Sequence, residues 1–277
     1  MVGSPVHEKG HRGQEVARLQ RHLGVHPDGE FGARTELALK NYQDTNGLVP
    51  DGRSGPKTRE VLGIQIYSGI DISKWNKITS WDKLVASGMA SFCWIKATEG
   101  NSYVCPVFPE HSKAAKAMGI PYGAYHFARP DLHTDPHKEV TNFASHCIPT
   151  PGNLRPVLDF EVAGDHSADS LRSWVATFLS EFETQVGVEP IVYTGGNMVK
   201  YHLDSDTTGI SDYDLWHAFY PRRSKLCRGI KKDRLGGWKE WSVWQWTGSG
   251  NLPGTSGEID RNWLVGGRPA FERMIIE

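Results

Sequence analysis

The sequence has few cysteines and no long apolar stretch. Its four cysteines are widely spaced and form no C-x-x-C pair, which argues against a zinc ribbon or a redox motif. We expect most of them to be free thiols in the interior. No segment reaches membrane-spanning length, and the first twenty residues lack the apolar core of a signal peptide. The sequence therefore predicts a chain that is made in a cytoplasm and does not insert into a membrane.

The chain also lacks an excess of charge of either sign. Its 277 residues include 31 Lys and Arg against 32 Asp and Glu, a formal net charge of −1. Proteins that bind the phosphate backbone of nucleic acids carry a strongly basic surface, so we expect no nucleic-acid partner. Ten Trp, nine Tyr and ten Phe are an ample aromatic supply that could form core or flat platforms for sugar rings. Composition leaves that choice open.

A zinc-binding histidine motif is missing as well. Twelve histidines are present, but no H-E-x-x-H occurs. His133 and His137 are four residues apart, yet Asp135 and Pro136 between them disfavour one continuous helix that would present both. We therefore predict no metal site, against the alternative of a zinc amidase or peptidase.

A turn followed by a helix occurs twice near the start of the chain. The motif D-G-x-x-G stands at residues 28–32 and again at 51–55, and Thr35 and Leu39 recur as Thr58 and Leu62. Asp-Gly favours a tight turn because Gly accepts a positive φ. An earlier helix is indicated by the spacing of Val16, Leu19 and Leu23 on one face. The pattern predicts a small three-helix domain over residues 1–63, joined by a linker at 64–68 to a larger domain.

From residue 69 to residue 277, short β-rich runs alternate with helical stretches. A clear apolar helix stripe is formed by Leu171, Trp174, Val175, Phe178, Leu179 and Phe182. Alternating strands and helices over about 200 residues favour an α/β fold of the TIM-like (β/α) barrel kind. The helical signal weakens after Tyr220, so we predict an irregular barrel whose last strands follow each other directly. The strand candidates are residues 69–73, 90–97, 121–128, 155–162, 190–194, 214–220, 241–246 and 258–262.

Carboxylates stand at the ends of several strand candidates. In Asp159-Phe160-Glu161, the period of two on a strand puts both acids on one face and Phe160 on the other. Asp71 and Asp260 occupy comparable positions, and the carboxyl ends of parallel barrel strands form the active face. Four acids could therefore meet in one cleft. Periodicity alone leaves a salt-bridge or solvated role for the D-x-E pair equally open.

Clustered carboxylates suit glycoside cleavage. One acid must stay protonated to donate to the leaving oxygen, and another must be charged near the oxocarbenium-like transition state. Neighbouring negative charges raise the pKa of one member, which favours the protonated form. Glu161 is the better donor candidate because its side chain is one methylene longer than that of Asp159.

The N-terminal segment resembles the three-helix peptidoglycan-binding module. Residues 10–16 (GHRGQEV), Leu19-Gln20, Tyr42-Gln43, Gly47-Leu48 and both D-G-x-x-G turns occur in the module's order. The turn residues could equally serve only the turns. The resemblance implies that this segment binds bacterial peptidoglycan.

Residues 69–270 resemble the family 25 glycoside hydrolases, the muramidases of the Chalaropsis type. Eight ordered motifs carry the resemblance: GIDIS at 69–73, IKATEG at 95–100, YGAYHFA at 122–128, DFE at 159–161, VYT at 192–194, LWHA at 215–218, WQWT at 244–247 and IDRN at 259–262. Trp246 and Arg261 depart from what family members often carry at those positions.

The resemblance implies a lysozyme that cuts the β-1,4 bond between N-acetylmuramic acid and N-acetylglucosamine without a cofactor. Glu161 would be the general acid, and Asp71, Asp159 and Asp260 would complete the acidic set. Either the substrate's acetamido group or a carboxylate could be the nucleophile. The aromatic residues of the motifs are the implied sugar contacts: Tyr125, Tyr193, Trp216, Trp244 and Trp246.

Two further alternatives are a wall-binding lectin that has lost turnover and a family 18 chitinase-like barrel. The four acids argue against the first, and the missing acidic strand signature of family 18 argues against the second. The two-domain layout resembles an endolysin of phage or prophage origin. It predicts a monomer that waits in the host cytoplasm and reaches the wall after the membrane fails.

Overall fold

The computed structural model describes residues 6–220 and 234–277, which form two compact units. The first unit contains residues 6–66 and 265–271, and the second contains residues 67–220, 234–264 and 272–277. No helix within these ranges is both long and apolar enough to cross a membrane. The helices are α1 (Gln14–His22), α2 (Ala33–Thr45), α3 (Pro56–Val61), α4 (Trp81–Ala86), α5 (Phe108–Ala117), α6 (His137–His146), α7 (Ala168–Val186), α8 (Gly196–Tyr201) and α9 (Gly267–Glu272). The strands are β1 (Ile66–Ile72), β2 (Lys77–Ile78), β3 (Phe92–Glu99), β4 (Tyr103–Val104), β5 (Tyr122–Phe127), β6 (Val157–Asp159), β7 (Ile191–Gly195), β8 (Leu215–Ala218), β9 (Val243–Gly250), β10 (Thr255–Ser256) and β11 (Ile259–Val265).

The first unit is built on the three helices that the sequence predicts. The apolar stripe of α1 is confirmed, since Val16 and Leu19 are buried and Leu23 packs against the same core. Phe31 and Leu39 complete that core with almost no exposed surface. Burial of each such side chain stabilises the folded state by about 1.5–3 kcal/mol. This shared core holds the three short helices together.

Each copy of the repeat is closed by a buried glutamine. The Gln20 Nε2 group donates to Asp28 Oδ1 (2.7 Å), to Thr35 Oγ1 (2.9 Å) and to the carbonyl oxygen of Glu30 (3.0 Å), and Gly29 N–H donates to Gln20 Oε1 (2.8 Å). The second copy repeats these four bonds with Gln43, Asp51, Thr58, Arg53 and Gly52. The repeat is therefore one hydrogen-bonding motif used twice, and its Asp, Gly and Thr residues stabilise the fold.

The boundary between the units lies between Ile66 and Tyr67, inside the predicted linker at 64–68. Strand β1 already begins at Ile66, and the carbonyl oxygen of Ser68 accepts a hydrogen bond from Ser91 N–H at 2.6 Å. Residues 265–271, expected in the larger domain, group with the first unit, where Gly267 N–H donates to the Gln65 carbonyl oxygen. Residues 66–68, which were predicted as part of the linker, are therefore the start of a strand.

The second unit is a closed barrel. Within the described ranges, eight strands pair in the order β1, β3, β5, β6, β7, β8, β9 and β11, and β11 also pairs with β1 to close the ring, while β4 forms a hairpin with β3. All pairs from β1 to β9 are parallel, whereas β11 is antiparallel to β9. No helix lies in residues 251–258, between β9 and β11. This confirms the predicted irregular barrel, whose last strands follow each other directly.

The outer helices cover the barrel with apolar surfaces. The stripe predicted for α7 is confirmed, because all six of its residues are at most 3 % exposed. Cys93, Cys105 and Cys147 are free and buried, as expected, and Cys227 lies outside the described residues.

Candidate active site

A cavity of about 600 Å³ opens at the carboxyl ends of the parallel strands. This volume falls within the range of about 300–1,000 Å³ that is usual for ligand pockets, and the position is where barrel enzymes place their active sites. The lining residues are Asp71, Ser73, Lys74, Trp75, Lys96, Glu99, Tyr103, Tyr125, Phe127, Arg129, Asp159, Glu161, Tyr193, Trp216, Tyr220, Gln245 and Asp260.

All four predicted carboxylates line this cavity. Asp71 is the last residue but one of β1, and Asp159 is the last residue of β6. Glu161 follows two residues later, after the fully buried Phe160. Asp260 is the second residue of β11. Because β11 runs against the other strands, its beginning lies at the same rim as their ends, and this places the fourth acid beside the other three.

A chain of directed hydrogen bonds holds Asp71. Its Oδ2 atom accepts from Gln245 Nε2 (2.9 Å) and from Asn262 Nδ2 (2.8 Å). The amide of Gln245 is oriented in turn by Tyr193, whose hydroxyl donates to Gln245 Oε1 at 2.7 Å. Trp216 Nε1 donates to Asn262 Oδ1 at 2.9 Å. Burial raises the pKa of Asp71 to about 6, and the hydrogen bonds from the two amide donors oppose that rise. The same two bonds fix the orientation of the carboxylate.

Asp159 and Glu161 differ in their surroundings. Asp159 is only 8 % exposed, and its Oδ1 atom is buried without a hydrogen-bond partner among the described residues. Burial, together with the charge of Glu161, raises the pKa of Asp159 well above its ordinary value. Glu161 remains open to solvent, although the cavity walls raise its pKa while the Lys96 ammonium opposes that rise. The raised pKa favours the protonated form of Glu161, as a proton donor requires.

Asp260 links the charge of the cavity to the stability of the fold. Burial raises its pKa to about 8, and the charges of Asp71 and Glu161 add to the rise. Between the ordinary aspartate pKa, near 4, and about 8, the folded state binds more protons than the unfolded state, so the contribution of Asp260 to stability falls as the pH rises.

We expect the substitution Asp260→Asn to raise the Tm relative to the parent at pH 9 and to change it little at pH 4, where Asp260 is already neutral. Thermal unfolding of both proteins across this pH range measures the difference. Asp165→Asn, at an exposed position, is the matched control and should show no such trend. A Tm difference that does not vary with pH would contradict the raised pKa.

A fifth carboxylate, Glu99, is neutralised by cations. Lys96 Nζ lies 2.7 Å from Glu99 Oε2, and Arg129 Nη1 lies 2.8 Å from Glu99 Oε1. Arg129 also makes a bidentate pair with Asp131, with both bonds at 2.8 Å. Partial burial alone would raise the pKa of Glu99, but the bonds from Lys96 and Arg129 outweigh it and lower the pKa. Glu99 is therefore a fixed anion of the cavity wall and a poor proton donor.

An irregularity in β3 brings Lys96 and Glu99 to the same side. Lys96 pairs with Tyr125 of β5, but the next paired position joins Thr98 to His126, so one extra residue stands in β3. Thr98 turns away from the cavity and lies 2.8 Å from His126 Nδ1, and His126 Nε2 lies 2.9 Å from Glu139 Oε2. All three side chains are fully buried. A bulge of this kind commonly redirects a side chain beside an active site.

Three of the five predicted aromatic residues line the cavity. Tyr125, Tyr193 and Trp216 do so, and the rings of Tyr193 and Trp216 meet edge to face at 4.8 Å. Burial raises the pKa of Tyr125 and of Tyr193 well above the ordinary value, so both hydroxyls stay protonated. They can therefore donate hydrogen bonds.

Trp244 and Trp246 do not line the cavity, and their role as sugar contacts stays a prediction that the cavity lining does not support. Alternation along β9 turns Gln245 inward and both tryptophans outward. Trp244 is 6 % exposed and donates from Nε1 to the carbonyl oxygen of Phe219. Trp246 stacks on Trp263 at 4.6 Å, and the guanidinium of Arg261 lies 4.9 Å from its ring. The two departures from the family pattern, Trp246 and Arg261, thus contact each other outside the cavity.

Several cavity residues were not predicted from the sequence as site residues. The motif IKATEG contains Lys96 and Glu99, and the motif WQWT contains Gln245, but neither motif by itself indicates a role for these side chains. The position of Gln245 between two tryptophans was a usable signal, because alternation along a strand places Gln245 on one face and both tryptophans on the other.

Within the described residues no group of three metal-ligating side chains occurs, and His137 pairs with Glu181 at 2.6 Å.

Comparison with known proteins finds a matching family model for each of the two segments. The model of the glycosyl hydrolases family 25 matches residues 70–255, and that of a putative peptidoglycan binding domain matches residues 12–62. The chain is 28 % identical to Lysozyme M1 of Streptomyces globisporus, over 92 % of this chain and 81 % of that protein. It is 32 % identical to the N,O-diacetylmuramidase of Chalaropsis, over 46 % of this chain and 64 % of that protein.

The barrel also has close structural relatives. The crystal structure of the bacterial lysozyme from Streptomyces coelicolor superposes with a TM-score of 0.65 at 27 % identity, covering 75 % of this chain and 94 % of that one. Because the family model spans more than half of the sequence, and Asp71, Asp159 and Glu161 lie within the residues that it matches, the chain belongs to glycosyl hydrolase family 25.

Proposed function

We propose that this protein is a muramidase that hydrolyses the β-1,4 bond between N-acetylmuramic acid and N-acetylglucosamine in bacterial peptidoglycan. The observation that carries the proposal is the meeting of four carboxylates in one cavity of a family 25 barrel. Relatives named as a lysozyme and a muramidase support it.

We assign the proton donor to Glu161. It combines a raised pKa with an exposed carboxyl group, so it can stay protonated and still reach the leaving oxygen. Asp159 lies beside it, with one unpartnered oxygen. The two acids influence each other's protonation, and in the state in which Glu161 holds the proton, Asp159 is the anion that can stabilise the positive charge of the sugar. Asp159 would act either as the nucleophile or as the group that orients the substrate's acetamido oxygen for attack.

Asp71 and Asp260 complete the acidic set, but we propose that neither donates the proton. Asp71 is fixed by two amide donors, and both acids raise the pKa of Asp159 through their charge. Their proposed roles are therefore to orient the substrate and to keep protons within the group.

We also propose that residues 1–63 hold the enzyme on the wall. The matched binding-domain model supports this role, and the two glutamine-closed repeats give the segment its own core. A monomer delivered to the wall after membrane failure, as in phage lysis, remains a prediction.

The bond that is cut provides the test. Digested sacculi are reduced with borohydride, which marks each new reducing end, and the fragments are identified by mass spectrometry. We expect muropeptides that end in muramitol. Glucosaminitol ends would overturn the bond assignment, and new amino groups without reduced sugars would overturn the glycosidase assignment. Intact sacculi would favour a wall-binding lectin.

A further inference from the structure

One tryptophan at the cavity has no structural role in packing. All ten tryptophans lie within the described ranges, and Trp75 alone is mostly exposed, at 82 %, while the others are buried or half-buried. Single exposed apolar side chains are common on protein surfaces, but Trp75 combines its exposure with a position at the cavity, where its indole is available to a ligand.

The backbone that carries Trp75 is held in place. Asn76 Oδ1 accepts from Ser73 N–H at 2.8 Å, and Asn76 N–H donates to the Ser73 carbonyl oxygen at 3.2 Å. Asn76 Nδ2 also donates to the carbonyl oxygen of Glu258, just before β11. A firmly held turn presents the indole at a fixed position, which lowers the entropy cost of binding.

The indole is continuous with the cavity. Lys74, Trp75 and Tyr103 all line it, and together we name them the rim. Lys74 Nζ lies 4.8 Å from the Trp75 ring centre and 5.1 Å from that of Tyr103, so the ammonium covers one face of the indole. The large exposed fraction of Trp75 shows that the other face is open.

We infer that the rim binds a further sugar of the glycan strand, beyond the two sugars at the cleaved bond, through stacking of the sugar ring on Trp75. This inference rests on the proposed function. A cavity of about 600 Å³ encloses a ligand of modest size, so a polymer must leave it over the rim. One indole beside a lysine is too small for a protein interface, which buries about 800 Å² on each partner.

The test compares substrates of two lengths. Glycan chains freed of peptide are separated into the disaccharide that contains one scissile bond and the oligomer of eight sugars, and kcat/KM is measured for each with the full chain. For Trp75→Ala we expect the ratio of the eight-sugar value to the two-sugar value to fall about tenfold, the loss of one aromatic contact. Trp75→Phe keeps a flat ring and should restore part of the ratio.

Tyr201→Ala is the matched control. Tyr201 is 60 % exposed, follows a lysine whose Nζ lies 5.4 Å from its ring, and does not line the cavity. Its ratio should equal the parent's. A fall of more than threefold for Trp75→Ala supports the inference, and a smaller fall, or an equal loss on both lengths, overturns it. The reduced ends formed by the parent enzyme test the proposed function separately, because muramitol ends do not depend on this ratio.

Discussion

Replacing Glu161 by glutamine is expected to lower lytic activity by about a hundredfold to ten-thousandfold, the contribution of general acid catalysis. Glutamine keeps the shape and polarity of the side chain but has no proton to give to the leaving oxygen. Because the side chain is exposed, the Tm should stay close to that of the parent. Release of reducing ends from sacculi and a thermal melt measure the two quantities.

Glu110→Gln provides the control for this substitution. Glu110 is an exposed glutamate of α5 and does not line the cavity, so its loss should leave activity unchanged. If Glu161→Gln keeps more than about a tenth of the parental activity, another group donates the proton.

Replacing Asp159 by asparagine should lower activity by about a hundredfold to a thousandfold, as is typical when one electrostatic contact to the transition state is lost. The fold should tolerate the change, because the carboxylate it removes is buried and held near three other acids. We expect an unchanged or higher Tm together with the loss of activity. Hydrolysis rates and thermal melts at neutral pH give both values.

The two possible roles of Asp159 make different predictions for the parent enzyme. Direct attack by the carboxylate forms a covalent sugar adduct, which mass spectrometry of protein quenched during turnover would detect. Attack by the acetamido group leaves the protein mass unchanged. Asp165→Asn is the control for the charge change itself. Full activity of Asp159→Asn would remove Asp159 from both schemes.

The sequence predicted the barrel because its strands and helices carry distinct periods. The α7 stripe and the weak helical signal late in the chain were enough to indicate an irregular ring. Asp71 and Asp159 were found because they stand at the carboxyl ends of parallel strands. Asp260 was also expected late in its strand, but it lies near the beginning of the antiparallel strand β11. The position of Glu161 is harder to predict from the sequence, because β6 ends at Asp159. The period of two therefore does not place Glu161, and the buried Phe160 anchors the loop that does.

The side chains that the sequence did not place depend on breaks in the regular alternation of a strand. Simple alternation along β3 would place Lys96 and Thr98 on one face, whereas the extra residue puts Lys96 and Glu99 together. No local pattern announces such a bulge, because Thr98 is held by His126 from another strand. The tryptophans on either side of Gln245 show the opposite case, since regular alternation along β9 turns Gln245 towards the cavity and both rings away from it.

The antiparallel direction of β11 ties assembly of the enzyme to its chemistry. During synthesis β11 leaves the ribosome after the other seven strands of the ring, and it brings Asp260. Until it inserts, β1 and β9 present open edges that other chains can pair with, which makes a stalled or truncated nascent chain prone to aggregation. Insertion of this one strand removes both edges and adds the last acid. A partly made barrel of this kind therefore lacks the complete acidic set, and the folding step that removes the open edges also completes that set.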